Sequence, residues 1–247
     1  MPAFPDGLAG KSGACPNARH PLVLSPMCGR MTMTHPNDAM ARLFEASPSN
    51  DLPEVPRYNI CPTQDIGVVT SGAEGRRYRP MRWGFLPHWY KTPTDGPLLI
   101  NARAETVADK PAFRAACRER RCLVPATGFY EWTKDEAGNR LPWYFTPADG
   151  GPLVLAGIWQ IWEKGETPLA TLAIVTCAAS PWMAETHHRE PVSLAPEDWA
   201  KWLGEEGKGA ALLMRAAPEG RYVRWRVDPR VNSNRATGPE LIEPLAA

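Results

Sequence analysis

The sequence predicts a mixed α+β fold dominated by antiparallel strands. Strand-like runs outnumber helical ones, they are short and rich in β-branched and aromatic residues, and Pro, Gly or Asp bounds most of them. The chain has 247 residues and no internal repeat. A single domain of this class is common at such a length.

The elements follow in chain order. Helical spacing of Met40, Leu43 and Phe44 predicts a short helix in 35–46. Strands are expected at DIGVVT, PLLINAR, RRCLVPA, GFYEWT, LPWYFT, PLVLAGIWQIW and ATLAIVTCAA. KDEAGNR is expected to be a hairpin loop, KPAFRAACRER and APEDWAKWLGE to be helices, and TGPELIEPLAA to be an extended tail.

The first 26 residues differ from the rest of the chain. They combine Pro, Gly, Asn and Ser without periodicity, which indicates a disordered or mis-assigned lead, so the predicted domain is 27–247. Met27 and Cys28 follow this lead. If Met27 is the true start and is removed, Cys28 carries a free α-amine beside its thiol.

Composition limits the class of partner and the compartment. The formal net charge of +1 argues against a general polyelectrolyte binder, although Lys and Arg outnumber Asp and Glu in the first half of the chain. The six cysteines form no CxxC pair, and the chain carries neither a secretory signal nor an apolar stretch long enough to span a membrane. We therefore expect a reduced, soluble, cytoplasmic protein.

Familiar cofactor motifs do not occur. GxGxxG, Walker, HExxH and GxSxG patterns are all missing, so we expect no cofactor and no metal. Adjacent histidines such as His187 and His188 seldom ligate one metal because neighbouring side chains diverge. One proton-transfer histidine and one bystander are the preferred interpretation.

Two strand segments carry polar residues that suggest a site. In INARAET, alternation points Asn101 and Arg103 to one face, although a solvated strand edge is the commoner reason for such a pattern. In GFYEWT, Glu131 lies between Tyr130 and Trp132. This glutamate either turns outward or is a buried carboxyl group kept for proton transfer.

Aromatic residues follow an arginine-rich stretch, residues 76–82. Arginines interleaved with aromatics suit single-stranded nucleic acid, because bases stack on rings while phosphates pair with guanidinium groups. Trp83 is predicted to be in the core. Trp89 and Tyr90, next to the polar segment KTPTDG, are the better stacking candidates.

Eight motifs in order resemble one family. They are MCGR, RYNICPTQ, RWGFLPHW, INARAET, RRCLVPATGFYEW, IVTCAA, HHREPV and VNSNRATGPELIEP, and they span about 27–244. Together they are similar to the SRAP family, the SOS-response-associated peptidases or abasic-site processing proteins. The resemblance implies one α+β domain with an antiparallel β-barrel-like core, flanked by short helices, and a basic cleft for single-stranded DNA.

The resemblance also implies residue roles. Cys28 would be the nucleophile that forms a thiazolidine crosslink with an abasic site, assisted by Asn101, Glu131 and His187. Implied DNA-contacting or site-lining positions are Arg30, Pro62, Trp89, Tyr90, Arg103, Trp132 and Thr176. The protein would then have lyase-like and self-cleaving activity and would associate with the nucleoid when damaged DNA is bound. A cytoplasmic monomer is the default expectation, because the sequence does not indicate an oligomeric state.

Two departures from the family pattern and two other functions remain. Position 190 is Glu where the family usually has Met or another non-acidic residue, so we expect a perturbation near His187, and Cys28 is not second in this chain. The alternatives are a cysteine-type peptidase that uses Cys28, His187 and Glu131, and a single-stranded DNA-binding module without chemistry.

Overall fold

Strands make up most of the regular structure in the computed structural model, which describes residues 29–245. The strands are β1 (Met31–Met33), β2 (Ala46–Pro48), β3 (Arg57–Ile60), β4 (Asp65–Gly72), β5 (Gly75–Trp83), β6 (Asn101–Arg103), β7 (Arg121–Ala126), β8 (Gly128–Lys134), β9 (Arg140–Pro147), β10 (Leu153–Trp162), β11 (Leu169–Ala178), β12 (Arg189–Pro191) and β13 (Tyr222–Arg226). The α+β prediction is confirmed.

Short helices connect these strands. The α-helices are α1 (Asn37–Leu43), α2 (Arg114–Glu119), α3 (Pro181–Ala184) and α4 (Trp199–Leu203), and the 3₁₀ helices are Pro196–Asp198, Ala210–Leu213, Pro229–Asn232 and Pro239–Ile242. The three predicted helices correspond to α1, α2 and α4. Gly204 ends α4 with a φ of 88°, a left-handed conformation that glycine adopts without strain. No helix within 29–245 has the length and apolar character needed to cross a membrane.

Two sheets form the scaffold. One has the strand order β13-β9-β8-β1-β3, and the other runs β12-β11-β10-β7-β4-β5-β2 with β6 attached to β11. Pairing of β11 with β5 makes the second sheet ring-like. The main hydrophobic core contains residues from both sheets, including Phe129, Phe145 and Val124.

A second, smaller core lies against the opposite side of the five-stranded sheet. Its buried members are Tyr130, Tyr144, Val227, Val231 and Leu241. The segment 227–242 supplies the last three of them and is called the C-terminal cover below. The prediction of an extended tail was wrong, because Pro239–Ile242 forms a 3₁₀ turn with Leu241 only 1% exposed.

Strands β5 and β6 also differ from expectation. PLLINAR was predicted as a strand throughout, but only Asn101–Arg103 pairs as β6. Strand β5 was missed because arginines alternate with buried Tyr78, Met81 and Trp83 around a proline. The predicted hairpin loop is present: the backbone N–H of Asp135 donates to Asn139 O, and Gly138 has a φ of 84°.

Candidate functional site

The site is approached along the first strand of the described chain. Strand β1 runs antiparallel to β8, with Met31 opposite Phe129, and the backbone N–H of Tyr130 donates to Arg30 O at 3.1 Å. The predicted nucleophile, Cys28, lies outside the described residues, as does the lead at 1–26. Gly29 and Arg30 therefore mark where the chain enters the sheet beside the middle of β8.

Glu131 is buried rather than turned outward. It is 3% exposed, lies opposite Trp143 on β9, and shares its side of the sheet with Arg226, which is opposite Trp143 on β13. Burial lowers the pKa of Arg140, and the nearby Glu131 opposes this change. The sheet thus holds a carboxyl group out of bulk water, with the guanidinium of Arg140 close enough to interact with it.

Asn101 and Arg103 project from one side of β6, as alternation predicts. Ala102 between them is fully buried, and the strand pairs in parallel with β11 so that Arg103 lies opposite Thr176. Strand β12 pairs with the other edge of β11, which sets Pro191 opposite Thr176. The INARAET and HHREPV motifs consequently lie on either side of the same strand.

His187 Nδ1 lies within hydrogen-bond distance of the backbone of Arg189. The Arg189 N–H is 3.1 Å from this nitrogen and can donate to it, and Arg189 O is 3.4 Å from it and can accept from it, so either tautomer of the neutral ring has a partner. Burial lowers the pKa of His187, and the nearby cationic groups His188 and Arg189 lower it further, against the opposing effect of the hydrogen bond with Arg189. Burial and the two neighbouring cationic groups thus favour the neutral form of the ring.

The two histidine rings do not diverge as expected. Their centroids are 4.4 Å apart, with a tilt of 32° between the planes. His188 is exposed, whereas His187 is half-buried. His188 therefore acts on its neighbour as a charge when it is protonated.

Sequence reasoning missed an ion pair that joins the two motifs. The guanidinium of Arg189 donates to both carboxylate oxygens of Glu105, at 2.6 and 2.8 Å, and to Thr176 O at 2.7 Å. The hydrogen bond from Arg189 lowers the pKa of Glu105 to about 2. Opposite charges inside INARAET and HHREPV were the available signal. The pair fixes Arg189, whose backbone in turn fixes the His187 ring.

Three predicted DNA contacts are engaged within the protein. Arg30 donates to Asn59 Oδ1 and to Val231 O, both at 2.7 Å, on the side of the C-terminal cover. Trp132 donates from Nε1 to Asn232 Oδ1 at 2.6 Å on the same side. Thr176 is 1% exposed and accepts from Arg189. These three positions are thus held by partners within the protein, as expected of site-lining residues, and their contact with DNA stays a prediction.

Of the two predicted stacking residues, Tyr90 is buried and Trp89 is exposed. Tyr90 is 7% exposed in a cluster with Leu86 and Trp162, and its backbone carbonyl accepts from Trp162 Nε1 at 2.8 Å. Tyr90 therefore presents no ring surface to a base, contrary to expectation. Trp89 is 47% exposed, and Pro62 is half-exposed in the turn between β3 and β4. Trp89, Pro62 and the exposed Arg103 remain available.

Glu190, the unusual residue of HHREPV, is fully buried. Its carboxylate accepts from the backbone N–H of Ser180 at 2.7 Å and from that of Ala217 at 2.6 Å. Ser180 is the N-cap residue of α3. The acidic side chain thus ties β12 to the start of the segment that leads to His187.

The comparisons with known proteins all indicate one family. The family model described as SOS response associated peptidase (SRAP) matches residues 27–234. The abasic site processing protein YoqW of Bacillus subtilis is 32% identical over 224 residues, which cover 88% of this chain and 99% of that protein. YedK of Escherichia coli is 31% identical, covering 89% and 100%, and HMCES of Rattus norvegicus is 30% identical, covering 88% and 76%.

Solved structures agree on the fold. A protein from Bacteroides thetaiotaomicron superposes with a TM-score of 0.77 at 23% identity and covers 89% of this chain and 100% of its own. One from Bordetella bronchiseptica gives 0.71 at 24% identity, covering 81% and 100%. At these identities the likeness concerns the fold alone.

Proposed function

This chain belongs to the SRAP family, and on that premise we propose that it forms a covalent crosslink with abasic sites in single-stranded DNA through Cys28. The relatives YoqW, YedK and HMCES are named as abasic site processing proteins. The observation that carries the proposal is the placement of buried Glu131 beside the entering chain. Arg30 pairs with Tyr130, and two peptide units span at most about 7.6 Å from Arg30 back to Cys28.

The proposed chemistry uses both nucleophiles of an N-terminal cysteine. The α-amine of Cys28 attacks the aldehyde of the opened deoxyribose, water leaves, and an imine forms. The thiol then adds to the imine carbon and its proton passes to the nitrogen, which closes a thiazolidine ring. An α-amine titrates at about 7.7–8.0, so it keeps a neutral fraction at neutral pH that lysine, at about 10.4, lacks.

The surrounding groups fit proton transfer and orientation. Glu131 moves a proton during sugar opening and imine formation, because a buried carboxyl group exchanges protons with the site rather than with bulk water. His187 donates from Nε2 to the sugar oxygen that leaves. Asn101 orients the Cys28 backbone, Arg103 pairs with a flanking phosphate, and Trp89 stacks on a base.

A cysteine-type peptidase is the second candidate, and the family description favours it. It requires His187 to accept a proton from the thiol. Nδ1 is engaged with the Arg189 backbone, so Nε2 is the nitrogen left to exchange a proton in either role. The two candidates differ instead in their nucleophiles, because the crosslink needs the α-amine and the thiol of Cys28 whereas the peptidase needs the thiol alone.

The deciding experiment varies the first residue. A protein that starts at Met27 and loses this methionine is incubated with single-stranded DNA containing an abasic site, and denaturant-resistant adducts are counted by intact mass. Cys28→Ala should abolish the adduct, whereas Cys61→Ala, which removes a partly exposed free thiol, should not. Cys28→Ser keeps the amine, so it should give only an imine that borohydride traps.

Other outcomes would reject the proposal. Acetylation of the Cys28 amine should prevent the crosslink and would leave a thiol peptidase active, so crosslinking that survives acetylation would contradict the thiazolidine mechanism. Crosslinking by the full 247-residue chain, with its N-terminus intact by mass, would contradict the thiazolidine mechanism. Equal yields on single-stranded and intact duplex DNA would contradict the single-strand preference.

A further inference from the structure

The guanidinium of Arg224 on β13 lies between two indole rings. Its central carbon is 4.6 Å from the ring centroid of Trp182 and 5.1 Å from that of Trp143. Both distances fall within the range of cation–π attraction. The Arg224 side chain is only 15% exposed, so it is packed against the protein rather than offered to solvent.

The hydrogen bonds of Arg224 converge on one segment. Nη1 donates to Thr186 Oγ1 at 2.7 Å and to Trp182 O at 3.2 Å, and Nη2 donates to Glu185 Oε2 at 2.5 Å. These acceptors lie in 182–186, the segment that directly precedes His187. One side chain of the five-stranded sheet thus binds three of its five residues.

We propose that Arg224 is a positioning residue for His187, acting through Trp182, Glu185 and Thr186. His187 has two anchors under this assignment. Arg189, fixed by Glu105, holds the ring from the C-terminal side, and Arg224 holds the backbone from the N-terminal side. The effect of Arg224 on crosslinking rests on the proposed function, whereas its effect on the His187 ring does not.

An arginine is required for this role. Its planar fork donates to several acceptors in fixed directions while its faces stack on aromatic rings. A lysine between the same indoles keeps the charge but concentrates its donors at one atom. Arg224→Lys should therefore retain folding and recover only part of the positioning.

Arg226 provides a matched control. It lies two residues further on the same strand and the same side of the sheet, and its guanidinium carbon is 5.3 Å from the same Trp143 ring. Its Nε donates to Pro142 O at 3.2 Å, on β9 rather than in 182–186. Arg226→Gln thus removes an equally stacked cation without touching the approach to His187.

The first measurement follows the His187 ring itself. The full chain, labelled at histidine, is titrated by NMR as wild type, Arg224→Gln, Arg224→Lys and Arg226→Gln. Burial is the main cause that lowers the pKa of His187, so loosening the segment should move that pKa back toward its ordinary value in Arg224→Gln. His188 and Arg189, the other groups that act on the ring, stay in every variant. Arg226→Gln should titrate like wild type.

The second measurement is the crosslinking rate of the form that begins at Cys28. A displacement of about 1 Å at a reacting group can cost about 100-fold, so Arg224→Gln, assayed well below its melting temperature, should be slower than wild type by about 10- to 100-fold. Arg224→Lys should fall between them. Thr186→Val, which removes one acceptor, should reproduce part of the loss.

The two proposals fail in different ways. If wild type forms no adduct, the proposed function is rejected while the NMR titration still tests Arg224. If the His187 titration is the same in wild type and Arg224→Gln, or if Arg226→Gln shifts it equally, the positioning role is rejected. Should Arg224→Gln not fold, the comparison of Arg224→Lys with Arg226→Gln gives the same decision.

Discussion

The two sides of the five-stranded sheet use the same strands for different purposes. On the side of the C-terminal cover, polar atoms end in intramolecular partners: Tyr130 Oη donates to Tyr58 O at 2.7 Å and Trp225 Nε1 to Ile242 O at 2.8 Å. The other side bears Phe129 and Phe145 of the main core together with Glu131, Arg226 and Arg224, and Arg224 binds the segment that leads to His187. The cover side thus serves packing, whereas the other side combines packing with the proposed proton-transfer group.

Adjacent residues of β8 separate these roles. Tyr130 faces the C-terminal cover, Glu131 faces Trp143, and Trp132 faces the C-terminal cover again. Because successive side chains of a strand alternate, a single tripeptide contributes to both sides. We expect substitutions on the cover side to change mainly stability, and those on the His187 side to change mainly the rate of crosslinking.

The largest effect is expected for Glu131→Gln. A proton-transfer group contributes about 100-fold or more, so the crosslinking rate should fall at least about 100-fold. The amide has nearly the same shape as the carboxyl group, which should keep the melting temperature near that of wild type. Adduct formation is measured under single-turnover conditions at saturating DNA.

The neighbouring residue supplies the control. Tyr130→Phe removes one hydrogen bond on the opposite side, which costs about 1 kcal/mol of unfolding free energy and should leave the rate unchanged. A Glu131→Gln protein that crosslinks as fast as Tyr130→Phe would contradict the division between the two sides.

Shortening a buried side chain of the C-terminal cover should have the next largest effect, here on the free energy of unfolding. Leu241 is 1% exposed in the core of Tyr130, Tyr144, Val227 and Val231, so Leu241→Ala should lower the free energy of unfolding by about 2–5 kcal/mol. Urea denaturation gives this difference. The crosslinking rate per folded molecule should stay near that of wild type, and a rate loss like that of Glu131→Gln would show that the cover participates in the site.

Alternation along strands accounts for what the sequence predicted, and contacts between distant parts of the chain account for what it did not. The shared side of Asn101 and Arg103, and most strands, follow from alternation and turn residues. Arg30 and Trp132 could not be assigned from the sequence, because Val231 and Asn232, which accept from them, lie about 100 residues or more away. The position of Arg224 between Trp143 and Trp182 likewise depends on three separate elements.

The smallest effect is expected for the pH dependence of stability at two contacts, the Glu105–Arg189 ion pair near His187 and the Trp132–Asn232 hydrogen bond on the cover side. In the folded protein Arg189 lowers the pKa of Glu105 to about 2, from a reference value of 4.5. The ion pair therefore stabilises the fold fully at pH values above about 4.5. That contribution is lost as the pH falls from about 4.5 toward about 2. The Glu105 side chain is 47% exposed, and solvent screening limits the contribution to less than about 1 kcal/mol.

In Glu105→Gln the contribution of this ion pair should be missing at every pH. The difference in unfolding free energy between wild type and Glu105→Gln should therefore shrink between about pH 6 and about pH 3. Trp132→Phe is the matched control, because its lost hydrogen bond to Asn232 involves no ionisable group and its cost should not change with pH. A Glu105→Gln difference as constant with pH as that of Trp132→Phe would contradict a charge contribution from the Glu105–Arg189 pair that anchors His187.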